Sequence, residues 1–168
     1  SQFINLVQHV VPSECPAPSG ITACHMVAPE VQEELNHKLL SADMAVLIPA
    51  YLVPRDMSNK PIKGGLFCVL HKPESDRLIN DRRTYNAHEC RLCWIDGRLP
   101  HGTQLTQLIC HDDEDIVASG DDLSNFFYSL KHIPEWYRRN VVGRAFAGNN
   151  YTKYGGKPGQ QYYLGFKV

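Results

Sequence analysis

The chain has 168 residues, 43% of them apolar and 21% charged, with 17 basic and 18 acidic side chains. This length is sufficient for one globular domain with a hydrophobic core, and the composition excludes a disulfide miniprotein, a collagen-like chain and a wholly disordered chain. No apolar run approaches the roughly 20 residues of a membrane-spanning helix, and no leader with a cleavage site is recognised, so no membrane partner is expected.

The first part of the chain is predicted to form an arm and one helix. Residues 1–28 are rich in proline and small polar side chains, a composition typical of an arm or a linker. A helix is predicted from Pro29 to about Ala42, because proline is favoured in the first helical turn and apolar residues recur on one face after it. These apolar residues are Val31, Leu35 and Leu39.

A change of composition near residue 60 predicts a boundary between two regions, 1–59 and 60–168. The apolar stretch Ala45–Val53 comes before the boundary, and short strand-like runs come after it. The runs Leu66–His71 and Arg77–Asn80 are separated by a polar turn that contains proline, which predicts a β-hairpin.

Short strands and helices are predicted for the rest of the chain. Two strands bracket an acidic turn, two helices follow, and two further strands come last. In order, these are strands at Thr103–Cys110 and Ile116–Ser119, helices at Leu123–Lys131 and Pro134–Asn140, and strands at Val141–Phe146 and Gln160–Val168. This mixture of helices and short strands predicts an α+β fold.

The near-neutral net charge conceals strongly charged segments. Residues 1–59 carry a net charge of −4 and residues 60–98 one of +3, whereas residues 99–130 carry −6 and residues 131–168 carry +6. An acidic segment between basic ones is the arrangement that a site for divalent cations beside polyphosphate or nucleic acid requires. Ordinary scatter of surface charge is the alternative interpretation.

The acidic segment includes a junction between a strand-like run and a helix-like run, Ser119–Leu130. A carboxylate at the end of a strand can hold Mg²⁺, which prefers hard oxygen ligands. Because side chains alternate along a strand, only one of Asp121 and Asp122 is expected to face a given site. The alternative is that this pair caps the N-terminus of the following helix.

The predicted hairpin displays two cations. Lys72 lies in its turn, and Arg77 follows the turn. Together these side chains can close over a triphosphate, because arginine supplies two parallel hydrogen bonds and lysine a point charge. A solvated hairpin face is the alternative interpretation.

Taken in order, these elements resemble the fingers and the first palm motif of reverse transcriptases, the RNA-directed DNA polymerases of retroelements. The order is Phe67–Lys72, the motif Arg77-Leu-Ile-x-Asp81-x-Arg83-x-x-Asn86, Leu99-Pro-His, a strand, and Asp122-x-x-x-x-Phe127. The resemblance covers roughly residues 60–168. Within the family, the chain resembles more specifically the retrotransposon-type polymerases of some protists. The order and the spacing are more specific than any single motif.

The resemblance implies an incomplete right-hand polymerase fold, with a fingers hairpin and part of an antiparallel palm sheet with packed helices. It implies that Arg77 contacts the phosphate of the incoming nucleotide, with Lys72 near the family's lysine but out of register with it. Asp122 matches the aspartate that binds both catalytic Mg²⁺ ions, which align the primer 3′-hydroxyl and stabilise the leaving pyrophosphate. Phe127 matches the aromatic residue under the sugar, whose bulk favours deoxynucleotides over ribonucleotides.

Two features depart from the family pattern. Asn125 stands where the family commonly has a small or acidic residue, which is tolerable because backbone amides make much of the phosphate contact there. The aromatic-x-Asp-Asp hairpin, which carries the other palm carboxylates of the family, is absent, and Asp112 and Asp113 precede the first motif. We therefore expect a piece of a longer polymerase or a truncated relic, which does not polymerise by itself.

A zinc site is the alternative chemistry in this region. Cys90 and Cys93 form a Cys-x-x-Cys pair, and Cys110 and His111 follow downstream, all of them residue types that Zn²⁺ prefers. Against this interpretation, a single such pair is common by chance, and cysteine at the end of an apolar run is often a small buried side chain.

The sequence leads to two hypotheses about function. In the first, the chain belongs to an RNA-directed DNA polymerase that uses Mg²⁺, deoxynucleoside triphosphates and an RNA or DNA template-primer. In the second, it is a non-catalytic nucleic-acid-binding module, either zinc-stabilised or decayed from a polymerase. The first predicts primer extension once the full palm is present, and the second predicts salt-sensitive binding without extension. The six cysteines are too sparse for a disulfide framework, which favours an intracellular, reducing compartment.

Overall fold

A computed structural model describes residues 20–89, 102–121, 126 and 130–167 of the chain. Its elements are, in order, α1 (Pro29–Ser41), β1 (Ala45–Pro49), β2 (Gly65–Lys72), β3 (Ser75–Asp81), α2 (Arg83–Asn86), α3 (Pro134–Tyr137), β4 (Val141–Ala147) and β5 (Gln161–Phe166), with 3-10 helices at Ala50–Leu52, Gly102–Gln107 and Gly148–Tyr154. The structure is thus α+β, with small antiparallel sheets and few helices, as predicted at this level. In the described ranges no helix is long and apolar enough to cross a membrane.

Helix α1 lies where the sequence predicts it. Pro29 occupies the first turn, where a backbone N–H has no partner within the helix. Glu30 in the first turn and Lys38 in the last turn complement the helix dipole. The buried side chains are Asn36, Leu39 and Leu40. The two leucines pack in the same apolar cluster as residues of the sheet, so the buried face holds the helix against it.

A three-stranded antiparallel sheet has the strand order β1-β5-β4. The β4–β5 pairing shifts register between Val142 and Phe146, where Gly143 has a φ of 75° that glycine adopts without strain. Strand β1 comes from before residue 60, and β5 comes from near the other end of the chain. Segments on both sides of the composition change therefore share one sheet.

Strands β2 and β3 form the predicted hairpin, with one register shift near its turn. The base of the hairpin is buried, since Leu66 has 0% and Asp81 has 7% of its surface exposed. The other end is in solvent, and Leu70 there is 81% exposed. A parallel bridge between Gly64 and Val142 joins the base of the hairpin to β4.

Two apolar clusters form the core. The larger one brings α1 and the hairpin base onto the sheet through Leu39, Leu40, Ala45, Leu66, Val142, Tyr151, Leu164 and Phe166. The smaller one contains Ile48, Val53, Tyr85, Val141 and Tyr163. Full burial of a large apolar side chain stabilises a fold by about 1.5–3 kcal/mol, so these contacts hold the hairpin base in place.

Two of the predicted strands are wrong. The run 103–110 is instead a 3-10 helix, Gly102–Gln107, followed by irregular chain, and residues 116–119 are also irregular. Ile109 is 91% exposed and Val117 is 90% exposed. An apolar run forms a strand only where a neighbouring strand accepts its hydrogen bonds and one face is buried. Within the described residues, this segment has neither.

Of the elements predicted near the C-terminus, the two strands are confirmed and one helix is shorter than predicted. The strands expected at 141–146 and 160–168 are confirmed as β4 and β5. The helix expected at 134–140 ends at Tyr137, because the chain turns there and the Asn140 side chain points into the protein. The helix predicted at 123–131 lies mostly outside the described residues.

Candidate functional site

The β2–β3 hairpin carries the two cations predicted to bind a triphosphate. Lys72 is the last residue of β2, and Arg77 lies in β3 opposite Val69. Both cations are exposed, and Nη2 of Arg77 lies 3.4 Å from Nε2 of His71. In the part of the chain that the structure describes, neither cation has a carboxylate partner. Their positive charges are therefore available to an anion.

The other residues predicted to hold the nucleotide and the metal lie outside the described residues. They are Asp122, Asn125 and Phe127. The Cys90 and Cys93 pair lies outside them as well. The roles of these five residues stay predictions from the sequence.

Cys110 and His111 are the candidate zinc ligands that the structure describes. Both residues are exposed, and the Cys110 thiol is free, so this cysteine is not a small buried side chain. The His111 backbone N–H donates to Oε2 of Glu114 over 3.1 Å. Among the described residues, no three His, Cys, Asp or Glu side chains are placed to hold a metal ion. The other two candidate ligands, Cys90 and Cys93, lie outside the described residues, so the zinc site stays a prediction from the sequence.

A buried carboxylate fixes the base of the hairpin. Asp81 accepts hydrogen bonds from the Cys24 backbone N–H at 2.7 Å, and from Nη2 of Arg83 at 2.6 Å. The Arg83 side chain, together with the backbone N–H groups of Cys24 and Arg83, holds the pKa of the Asp81 carboxyl far below its usual range. The stability gained from this charge is present above the unfolded value near 3.9 and is lost only in strong acid. The Asp81-x-Arg83 motif thus joins β3, α2 and the chain before α1.

Tyr85 connects α2 to the sheet. Its hydroxyl donates to the Ile62 carbonyl over 2.7 Å and accepts from the Val141 N–H over 3.2 Å. Burial raises the pKa of Tyr85, so the hydroxyl stays protonated and keeps its donor role. The neighbouring Thr84 hydroxyl donates to the Lys63 carbonyl over 2.6 Å. These bonds hold the hairpin base against β4.

Residues 21–28, which belong to the predicted arm, form an extended segment against the hairpin base. The Met26 N–H donates to the Leu66 carbonyl over 2.9 Å. In return, the Leu66 N–H donates to Nδ1 of His25 over 3.1 Å. Nε2 of His25 lies 3.0 Å from Oε1 of Gln32, which assigns the proton of the imidazole to Nε2. A neutral imidazole is therefore part of this contact.

The surroundings of His25 favour its neutral form. Burial lowers the pKa of His25, and the positive charges of Arg144 and Lys63 lower it further, against the opposing effect of Gln32. A proton on Nδ1 would also remove the acceptor of the Leu66 N–H. Protonation of His25 therefore weakens the contact between residues 21–28 and β2.

The pH dependence of stability follows from this shift. Because the pKa of His25 is lower in the folded chain than in the unfolded chain, the unfolded chain binds more protons as the pH falls through about 6.5, so the free energy of unfolding is expected to fall as the pH falls from 7 to 5. His25→Asn keeps a side-chain acceptor but cannot titrate, and we expect a shallower pH dependence. Urea unfolding at several pH values measures both. An equal slope in the two proteins would contradict the role given to His25.

A second group of charges lies where α2 approaches residues 130–140. Nη2 of Arg82 donates to Oε1 of Glu89 over 2.8 Å, and its Nη1 donates to Oδ1 of the buried Asn140. The same guanidinium lies near the Tyr85 ring, with Cζ 5.6 Å from the ring centroid. Arg139 follows α3 beside this group and is half-buried. Arg82 and Arg139 therefore belong to a different group of charges from the hairpin cations Lys72 and Arg77.

The comparisons with known proteins leave the family open. No protein-family model, curated protein or solved structure matches the chain. The similarity to reverse transcriptases consequently stays a prediction from the order of the motifs. The geometry of the β2–β3 hairpin is the structural observation from which a function can be argued.

No pattern in the sequence predicts a role for His25, Arg82 or Arg139. For the arginines, the sequence does offer one signal, which is that they occur in adjacent pairs, at 82–83 and at 138–139, in basic segments. A pair of like residues does not show which member faces the protein. In the structure, Arg83 binds Asp81 while Arg82 reaches Asn140, so adjacent arginines serve different contacts.

Proposed function

We propose that the chain is the fingers-and-palm portion of an RNA-directed DNA polymerase of the reverse transcriptase type. The observation that carries the proposal is the order of its motifs, which runs through Lys72, Arg77, Asp81, Arg83, Asp122 and Phe127. The geometry of the hairpin supports it. Two exposed cations, without carboxylate partners among the described residues, extend from a base that the buried carboxylate of Asp81, paired with the exposed Arg83, and the Tyr85 hydroxyl hold in place.

In the proposed polymerase, the residues of this chain bind and orient the nucleotide. Arg77 and Lys72 neutralise the triphosphate, and Asn125 lies beside it. Phe127 packs under the sugar and leaves no room for a 2′-hydroxyl. Asp122 supplies a carboxylate oxygen, the donor type that Mg²⁺ prefers. Magnesium bound there would align the primer 3′-hydroxyl and stabilise the pyrophosphate that leaves.

The proposed activity belongs to a complete palm. Asp122 contributes one carboxylate, whereas a two-metal site of this type needs further anionic ligands. In the family these come from the aromatic-x-Asp-Asp hairpin, which the 168 residues do not include. These residues therefore bind and orient substrates, and nucleotidyl transfer requires the additional carboxylates.

A nucleic-acid-binding module without catalysis is the second candidate function. Basic side chains favour it, since residues 131–168 carry seven basic groups and one acidic group. Binding of this kind needs no metal site and weakens with salt as phosphate contacts are lost. Extension of a primer separates the two candidates, because only a polymerase lengthens it.

The first test of the proposal is the source transcript. We expect an in-frame aromatic-x-Asp-Asp flanked by apolar strands after the codon for Val168. A protein that includes this hairpin can then be assayed for Mg²⁺-dependent primer extension. A stop codon, or a reading frame without such a carboxylate pair, would overturn the polymerase proposal in favour of the binding module.

The hairpin cations provide a test on the chain itself. Arg77→Ala removes a charged donor from the proposed triphosphate site, and we expect affinity for a Mg²⁺–deoxynucleoside triphosphate to weaken about tenfold, since a hydrogen bond to a charged group contributes about 1.5 kcal/mol. Lys72→Ala is expected to act in the same direction but less, because lysine makes no bidentate contact. Fluorescence anisotropy with a labelled nucleotide measures the dissociation constants.

Lys38→Ala is the matched control for the hairpin variants. Lys38 also carries an exposed positive charge, but it lies on α1 and pairs with Glu34 over 2.7 Å. Nucleotide affinity should stay within about twofold of the unchanged protein. A comparable loss in Lys38→Ala and Arg77→Ala would indicate a general charge effect and remove the hairpin from the nucleotide site.

A further inference from the structure

Arg82, Glu89, His132 and Arg139 form a charged group, here called the Arg139 cluster, that the proposed nucleotide site does not use. Arg82 has two partners, because Nη2 of its guanidinium donates to Glu89 over 2.8 Å and Nη1 donates to Asn140. Both members of the Arg82–Glu89 pair are about one quarter exposed. This ion pair is therefore largely shielded from water and holds its geometry.

Arg139 is the uncompensated charge of the Arg139 cluster. Its backbone N–H donates to the Trp136 carbonyl over 2.8 Å, which fixes the residue in the turn after α3. In the described part of the chain, its half-buried guanidinium has no hydrogen-bond or ion-pair partner. Burial lowers the pKa of Arg139, and Arg138 lowers it further, while Glu89 opposes both. A guanidinium nevertheless remains charged at neutral pH and carries five donors.

The charge balance of the Arg139 cluster is positive. Glu89 contributes one negative charge against the two guanidinium groups. Burial lowers the pKa of His132, and Arg82 lowers it further, so this imidazole is neutral near pH 7. One positive charge therefore remains, on a side chain that has lost part of its hydration and has no acceptor among the residues that the structure describes. Such a group is stabilised by an anion that accepts its hydrogen bonds.

We propose that Arg139 binds a phosphate group of a nucleic-acid backbone. A planar guanidinium fork matches two phosphate oxygens, and the exposed Arg138 beside it adds positive charge for a neighbouring phosphate. The basic segment 131–168 favours a polymer of phosphates over a single small anion, since several cations can then act together. The site rests on the proposed function for its nucleic-acid partner, and it names a contact that requires neither Asp122 nor a metal ion.

The salt dependence of binding tests this site. The probe is a fluorescent 20-nucleotide single-stranded DNA, titrated with the 168-residue chain between 25 and 200 mM salt. Arg139→Ala should reduce the slope of log affinity against log salt by about 0.7, the value expected for one lost phosphate contact on a single strand. Arg139→Lys keeps the charge without the fork, and its slope should stay near that of the unchanged chain.

Arg55→Ala is the matched control. Arg55 is exposed and its side chain donates to the Asn59 carbonyl over 2.8 Å, so its loss changes the net charge equally without touching the Arg139 cluster. The slope of Arg55→Ala should equal that of the unchanged chain. If Arg139→Ala and Arg55→Ala behave alike, the proposed phosphate contact is wrong.

A measurement on the unchanged chain covers the case in which Arg139→Ala fails to fold. Phenylglyoxal modifies accessible arginines, and peptide mass spectrometry reports its extent at Arg139. The 20-nucleotide DNA should protect Arg139 and leave Arg55 reactive. Protection by inorganic phosphate alone would overturn the assignment to a nucleic-acid backbone, and no protection by either probe would overturn the anion site itself.

The failure of this contact and the failure of the polymerase proposal can be distinguished. Loss of nucleotide affinity in Arg77→Ala concerns the hairpin, whereas the DNA salt slope concerns Arg139. A chain that binds DNA through Arg139 but shows no effect of Arg77→Ala on nucleotide affinity would retain the phosphate site and lose the polymerase assignment. The reverse result would retain the hairpin site and lose the contact proposed here.

Discussion

Replacement of Asp122 by Asn is expected to abolish metal-dependent primer extension in the polymerase that includes the aromatic-x-Asp-Asp hairpin. The amide keeps the size of the side chain but removes the negative charge that Asp122 offers to Mg²⁺. Because bound metal stabilises the transition state by several kcal/mol, and each 1.4 kcal/mol corresponds to a factor of ten, the rate should fall by at least about 1,000-fold. Single-nucleotide primer extension under single-turnover conditions measures the rate.

Asp121→Asn is the matched control, because it makes the same chemical change one residue earlier. Asp121 is exposed and lies in irregular chain, and the resemblance assigns the metal to Asp122 alone, so the activity of Asp121→Asn should stay within a few-fold of the unchanged enzyme. Template-primer binding should be retained in both variants, since phosphate contacts come from basic residues. Full activity in Asp122→Asn, or an equal loss in both variants, would show that Asp122 is not the metal ligand.

Replacement of Gly65 by Ala is expected to detach residues 21–28 from the hairpin. A Cβ at this position would lie 1.9 Å from the Cys24 carbonyl oxygen and 2.5 Å from its carbon, and both are backbone atoms. The segment must therefore move, which breaks its hydrogen bonds to Leu66 and uncovers part of that buried side chain. At about 1 kcal/mol for each hydrogen bond, with lost apolar burial added, the free energy of unfolding should fall by about 2–4 kcal/mol.

Urea unfolding and limited proteolysis measure this effect. A lower midpoint and cleavage within residues 21–28 under native conditions are the expected results. Gly120→Ala is the control, because an added Cβ there meets no heavy atom within 4 Å, and its stability should change by less than about 0.5 kcal/mol. An unchanged midpoint together with native resistance to proteolysis in Gly65→Ala would show that this contact does not stabilise the fold.

The two effects concern different levels of the molecule. Asp122 concerns a proposed chemistry, whereas Gly65 concerns the packing that supports the hairpin. Gly65→Ala should also reduce the pH dependence of stability, because His25 leaves its surroundings once residues 21–28 detach. A variant that loses stability but retains the full pH dependence would separate these two roles of the segment.

Local sequence patterns determined several elements of the structure. Pro29 and the apolar spacing after it predicted α1, and two apolar runs around a polar turn predicted the β2–β3 hairpin. Strands β4 and β5 were predicted in the same way. In each case, the signal resides in neighbouring residues, since helical spacing, strand propensity and turn chemistry act over a few positions. The cations on the hairpin were predicted by the same local reasoning.

Partners distant in sequence decided the rest. The segment Ile116–Ser119 has strand-like residues but no described strand beside it, so its backbone stays irregular and Val117 is 90% exposed. Residues 21–28 have the composition of a linker, yet Gly65 and Asp81, remote in the sequence, offer them a close surface and a carboxylate. Composition alone cannot show such contacts, because they depend on which surfaces the fold brings together.

The sequence by itself determined the order of the motifs and, through it, the proposed polymerase chemistry at Arg77 and Asp122. The tertiary structure alone decided which partner each of these arginines has. Arg83 binds Asp81 and Arg82 binds Glu89, whereas Arg139, among the described residues, has no acceptor. The physical reason is that a charge pattern along the chain is one-dimensional, while the pairing of a charge depends on the three-dimensional positions of carboxylates and carbonyls around it.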